Sequence, residues 1–110
     1  MANSPFHVVE TPQFKALFML GADDRVETVE NVDAEVTLPD GSRWSATLMT
    51  LLEIERIMMH WAESGENRSG AYFQCSDLVI VRTGGIPGMM RALEAVIENG
   101  GPQGILGDLN

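Results

Sequence analysis

The residues with chemistry to offer are few and lie far apart in the chain. Cys75 is the sole cysteine, and His7 and His60 are the two histidines. A cysteine nucleophile needs a base that lowers its pKa, and neither histidine stands in a recognisable cysteine-hydrolase context. Cys75 reads as a small buried hydrophobe, and His60, four residues after Arg56 among polar helix positions, as a solvated surface side chain. One cysteine forms no intramolecular disulfide, and no Cys-x-x-Cys or Cys/His cluster offers metal-ligand spacing. Gly84-Gly85 precede a helix start, where backbone N–H groups bind anions, but the spacing fits neither GxGxxG nor the P-loop, so a glycine hinge is expected. Asp23-Asp24 could attract a divalent cation, yet calcium-loop spacing is absent and solvated turn residues are the expectation. No convergent titratable group can be assembled. The chain is expected to be no enzyme, with no cofactor and no metal.

What remains is charge. Sixteen acids against seven bases give a net charge of −9, which repels nucleic-acid phosphates and anionic lipid headgroups and attracts basic surfaces. Between Asp23 and Asp40, seven acids meet only Arg25, so −6 of that −9 is concentrated in one stretch. A basic protein partner is therefore expected, with no nucleic acid and no membrane. The longest apolar run, Ala16 to Leu20, falls far short of the ~20 residues that span a bilayer. MANSPFHVVE has neither a basic n-region nor an apolar h-region, so a cytoplasmic location is expected. With 110 residues, 45% hydrophobic and 21% charged, residues 1–110 read as one α+β domain. Its glycine-rich tail, from about 100 to 110, is expected to be mobile or loosely docked.

The elements that would position the acids are legible in places. In VDAEVTLPDGSRWSATL, Val32, Ala34, Val36 and Leu38 alternate with polar residues, and Trp44, Ala46 and Leu48 do so after Pro39-Asp40-Gly41. A three-residue loop with a glycine bulge pairs Leu38 with Ser42. Val36 then faces Trp44 and Val32 faces Leu48 inside, while Glu35 faces Ser45 and Thr37 faces Arg43 outside. Thr50 and Glu53 form a capping box, so a helix starts at Leu51, and Gly65 ends it. Ile54, Ile57, Met58 and Trp61 form its expected core stripe. Leu52 and Met59 lie on one flank outside that stripe, and could meet the C-terminal tail, a twin subunit or a different protein.

Further on, AYFQCSDLVIVR supplies two short β-type runs around Cys75-Ser76-Asp77, the second apolar enough for a central strand; a single kinked strand is the alternative. Pro87 suits a helix first turn, Met89, Met90, Leu93, Val96 and Ile97 line one face, and Asn99-Gly100-Gly101-Pro102 stops the helix. In each adjacent pair, Met58-Met59 and Met89-Met90, one methionine reads as core and the other as adaptable surface. Residues 11–21 are ambiguous: Thr11-Pro12 could cap a helix, but FKALFML followed by GADD is read as a strand entering a turn. The resulting fold is α+β: a mainly antiparallel sheet of four or five strands with two amphipathic helices packed on one face.

The string LPDGSRWSATLMTLLEIERIMMHWAESGE, then GAYFQCSDLVIV and an amphipathic helix, resembles the small acidic immunity proteins of bacterial polymorphic and contact-dependent toxin systems over Val32 to Asn99. The resemblance implies a stoichiometric inhibitor that occludes or distorts a cognate toxin domain; no binding residue transfers from it. The contact candidates come from charge and flank: Asp23, Asp24, Glu27, Glu30, Asp33 and Glu35, with Leu52 and Met59. An edge strand kept soluble by its acids is the rival reading of the first group. A homodimer or accessory subunit joined through Leu52 and Met59 is the alternative function.

Overall fold

The computed structural model describes residues 5–110. Its elements are β1 (Phe6–Glu10), β2 (Lys15–Met19), β3 (Asn31–Thr37), β4 (Arg43–Thr50), α1 (Leu51–Ser64), α2 (Glu66–Gly70), β5 (Leu78–Val81), α3 (Ile86–Glu98) and β6 (Gly107–Asp108). Period-two alternation gives the β3–β4 hairpin the expected register, with Val36 opposite Trp44, Val32 opposite Leu48, Glu35 opposite Ser45 and Thr37 opposite Arg43. The Leu38 N–H donates to the Ser42 carbonyl at 2.9 Å, and Gly41 sits at φ 87°, the left-handed position this turn requires.

The sheet order is β1-β2-β3-β4-β5, antiparallel except for the parallel β4–β5 pair, and β6 joins the start of β4. The α+β class holds, with β3 in the interior of the sheet rather than at an edge. Residues 15–19 form a strand. The Thr11 hydroxyl, read as a possible helix cap, accepts the Gln13 and Phe14 N–H groups and so closes the β1–β2 turn by the same chemistry.

Ala16, Phe18, Val32, Ala34, Val36, Trp44, Ala46 and Leu48 make one buried sheet face, and α3 lays Ile86, Met89, Met90 and Leu93 into the same core. Both methionines of the 89–90 pair are thus buried, correcting the assignment of one to the surface. Gly84 and Gly85 let α3 fold back. The Gly85 and Ile86 N–H groups each donate at 2.8 Å, to the Val29 and Val26 carbonyls of the β2–β3 connection. Gly85 has φ 100°, and a Cβ there would lie 2.5 Å from the Glu27 carbonyl oxygen, so only glycine permits this approach.

α1 begins directly at the end of β4. Thr50 caps it, accepting the Glu53 N–H at 3.1 Å, and the Gly65 N–H closes its last turn on the Trp61 carbonyl at 2.8 Å, as the capping pattern predicts. The expected core stripe is only half-buried, however: no residue of α1 is fully buried. Its apolar side meets α2, a left-handed turn with Asn67, Arg68 and Ser69 at φ 47°, 55° and 59°, and Trp61 stacks on Phe73 at 5.6 Å between ring centroids. The radius of gyration is 14.7 Å, against ~13 Å for a compact chain of this length.

Three expectations change. Ala71–Gln74 is not a strand, so only the second of the two β-type runs forms one. That strand, β5, lies at the end of the strand order rather than in the centre, with Ile80 51% exposed. The tail is docked: Pro102 and Leu106 are buried, β6 pairs with Trp44 and Ser45, and the Leu109 N–H donates to the Arg43 carbonyl at 3.0 Å. Four more bonds from Asn110 tie down the terminus, its side chain accepting from the Arg43 N–H at 2.8 Å. Among the described residues no helix is long and apolar enough to cross a membrane.

Candidate functional site

Alternation along the strands makes the second sheet face. Reading across the register, Phe6, Met19, Asp33, Thr47 and Leu78 form one row, and Val8, Leu17, Glu35 and Ser45 the next. No buried side chain occurs in either row, and Phe6, Val8 and Met19 are exposed to one side of the carboxylates; in the following row, Asn31, Met49 and Ile80, Met49 is buried and Ile80 is exposed at the edge.

The central polar group is tightly bonded. Arg43 pairs with Glu35, which raises the guanidinium pKa. Asp77 accepts the Ser45 hydroxyl at 2.6 Å, the Thr47 hydroxyl at 2.9 Å and the Cys75 thiol at 3.2 Å. Partial burial pushes its pKa up, but these three bonds outweigh burial and hold the carboxyl below its usual range. Thr47 also lies 3.1 Å from Asp33, so one hydroxyl proton serves two carboxylates. Asp33, Glu35 and Asp77 against Arg43 leave a net charge of −2 there.

The remaining acids go elsewhere. Asp23, Asp24 and Glu27 are exposed on the β2–β3 connection, where Asp24 accepts the Gly21 N–H at 2.8 Å. Glu30 is a brace: its carboxylate accepts the Thr50 hydroxyl at 2.9 Å and Arg56 at 2.9 Å, while its carbonyl accepts the Thr50 N–H at 3.0 Å. The Arg56 bond, then the Thr50 bond, lowers the Glu30 pKa, and Arg56 also reaches Glu53 at 3.1 Å. A shallow cleft of about 220 Å³ runs between this connection and α1, lined by Asp23, Asp24, Glu30, Glu53 and Arg56. Asp40 lies at the opposite end of the hairpin, bonded to Ser42. The acidic stretch is therefore split between a loop and a sheet face, and only Asp33 and Glu35 share the outward face, in adjacent rows.

Leu52 and Met59 are 53% and 64% exposed, and Leu51 beside them is 65% exposed. The tail docks at Trp44 and Ser45, toward the far end of β4 from α1, so it does not cover this flank. Another cleft, of about 760 Å³, lies at the other end of the connection, lined by Phe6, His7, Leu20, Gly21, Asp24 and Val26. Among the described residues no group of three or more His, Cys, Asp or Glu could hold a metal ion. His60 is exposed, and the bonded partner of Cys75 is Asp77.

Sequence reasoning missed the Ser45-Thr47-Cys75-Asp77 group. Alternation does put Ser45 and Thr47 beside Glu35 and Asp33, but Asp77 joins them only through the parallel β4–β5 register, which no local pattern encodes. Compared with protein-family models, with curated proteins and with solved structures, the chain finds no match.

Proposed function

We propose that this chain is a non-enzymatic protein-binding module for a basic protein, and that its use is that of an immunity protein neutralising a cognate bacterial toxin. One observation carries the reading: a sheet face, open across the Asp33 and Glu35 rows, on which exposed Phe6, Val8, Met19 and, at the β5 edge, Ile80 flank carboxylates that with Arg43 carry a net charge of −2. Apolar anchors around a charged centre suit an interface in which burial supplies affinity and charge supplies on-rate and specificity. Asp23, Asp24 and Glu27 extend the negative field toward the same partner. The test is capture from the native host followed by co-expression. A stoichiometric basic protein, toxic alone and harmless with this chain, is the expected result. Asp33→Lys should slow its association and flatten the salt dependence, and Met19→Glu should speed dissociation. Unchanged kinetics in both variants would refute this surface.

A second reading, a homo-oligomer joined through the α1 flank, is favoured by the absence of any fully buried residue in α1. Exposed apolar patches of this kind commonly mark association sites. Sedimentation that detects a dimer, lost in Met59→Glu, would support it; a monomer at all concentrations would eliminate it.

A further inference from the structure

Two dipeptides here can turn a backbone nitrogen into a nucleophile: Asp40-Gly41 and Asn99-Gly100. A glycine nitrogen, unhindered by a side chain of its own, reaches the preceding side-chain carbonyl carbon and closes a five-membered imide. The fold treats the two sites in opposite ways. At the hairpin turn, the Gly41 N–H is donated to the Leu38 carbonyl at 2.9 Å. The Asp40 carboxylate accepts the Ser42 N–H at 2.9 Å and the Ser42 hydroxyl at 2.6 Å. Those bonds hold its pKa below the usual range and fix the carboxylate on Ser42. Nucleophile and electrophile are both occupied.

At the end of α3 neither is. The Asn99 N–H donates to Ala95 at 2.9 Å and the Gly101 N–H to Val96 at 3.2 Å, but the Gly100 N–H donates to no carbonyl among the described residues. The Asn99 side chain makes no hydrogen bond there either. Glu98, Asn99 and Gly100 are all exposed, and a Cβ built on Gly100 would meet nothing within 4 Å. Turning the Asn99–Gly100 peptide toward the side chain is opposed chiefly by the Gly101–Val96 bond, at a helix end of the kind that frays. The other asparagines among the described residues differ: Asn31 precedes Val32, Asn67 precedes Arg68, and the Asn110 side chain is bonded to Arg43 and Asp108.

We propose that Asn99 is a site of spontaneous deamidation. Hydroxide removes the Gly100 N–H proton, the nitrogen bonds to Asn99 Cγ, and the bond from Cγ to the amide nitrogen breaks. That nitrogen takes a proton from water and leaves as ammonia. Water then opens the succinimide at either carbonyl, leaving aspartate or isoaspartate at position 99; the net change is hydrolysis of one amide. The product carries one more negative charge. Isoaspartate also lengthens the main chain by one carbon where α3 hands over to the tail that docks Pro102, Leu106 and β6, so this form should hold β6 more loosely.

The test uses the full chain, incubated folded at physiological temperature and mildly alkaline pH, and in parallel in urea. Peptide mapping by mass spectrometry with isoaspartate-specific methylation gives the readout. Conversion at Asn99 in the folded chain with Asp40 intact, isomerisation at Asp40 only in urea, and loss of the modified species in Asn99→Gln are expected. An Asn99 amide that survives in the folded chain but converts in urea would overturn the proposal, as would isomerisation of Asp40 keeping pace with Asn99 in the folded chain.

Discussion

α1 and α3 have similar lengths, 14 and 13 residues, and each carries an apolar stripe at helical spacing, yet α3 buries Ile86, Met89, Met90 and Leu93 while α1 fully buries nothing. The difference lies in how each helix is entered. α3 follows Gly84-Gly85, whose positive-φ second glycine reverses the chain and lets carbonyls of the β2–β3 connection receive its first N–H groups. α1 follows β4 with no intervening loop and is held by the Thr50 cap and the Glu30–Arg56 brace. Amphipathicity states that a helix wants cover. The residues at its entry decide whether its own sheet provides it.

The sharpest way to break this comparison is a paired truncation. Leu93→Ala should lower stability by about 2–5 kcal/mol, whereas half-buried Met58→Ala should cost about 1 kcal/mol or less, both read by urea denaturation. Equal losses would mean that α1 belongs to the main core. Next comes the hinge. Gly85→Ala should destabilise by more than about 1 kcal/mol, since the added carbon collides with the Glu27 carbonyl, and Gly41→Ala, with open space around it, should cost less in the same assay. Thr50→Ala should cost about 1 kcal/mol through loss of the α1 cap, detectable as lower helical circular dichroism or faster hydrogen exchange over α1.

Acid probes the brace. Glu30 has a folded pKa below its ordinary 4.5, so its contribution is present above that pH and is lost as the pH falls through the lowered value. Exchange of α1 amides should therefore rise on acidification below about pH 4.5, and Glu30→Gln should flatten that response. The smallest expected effect on folding is that of Met59→Glu. With Met59 64% exposed, the thermal midpoint should stay within experimental error while any self-association disappears.

Where neighbours in sequence are neighbours in space, the fold was readable. The β3–β4 register followed from Pro39-Asp40-Gly41 and alternation, and both ends of α1 followed from Thr50, Glu53 and Gly65. Long-range placement was not. The continuous apolar run Leu78–Val81 looked central because burial on both faces gives the same pattern, but it ends the strand order. The glycine-rich tail looked loose because its anchors, Leu106, Leu109 and Asn110, act only through Trp44, Ser45 and Arg43 far away in sequence. The candidate surface divides likewise: Asp33 and Glu35 were placed by alternation, whereas the engagement of Glu30 with Arg56 and the arrival of Asp77 depend on packing that periodicity does not carry.

The parallel pairing of β5 with β4 forces residues 51–77 to act as the crossover between two neighbouring strands. Loop-closure entropy grows only logarithmically with length, so that excursion can be lengthened, shortened or exchanged at modest expense to the strands it joins. Sequence change can accumulate at the exposed positions of this excursion while the sheet keeps its register, provided that Arg56 and Asp77 keep their bonds to Glu30, Ser45 and Thr47.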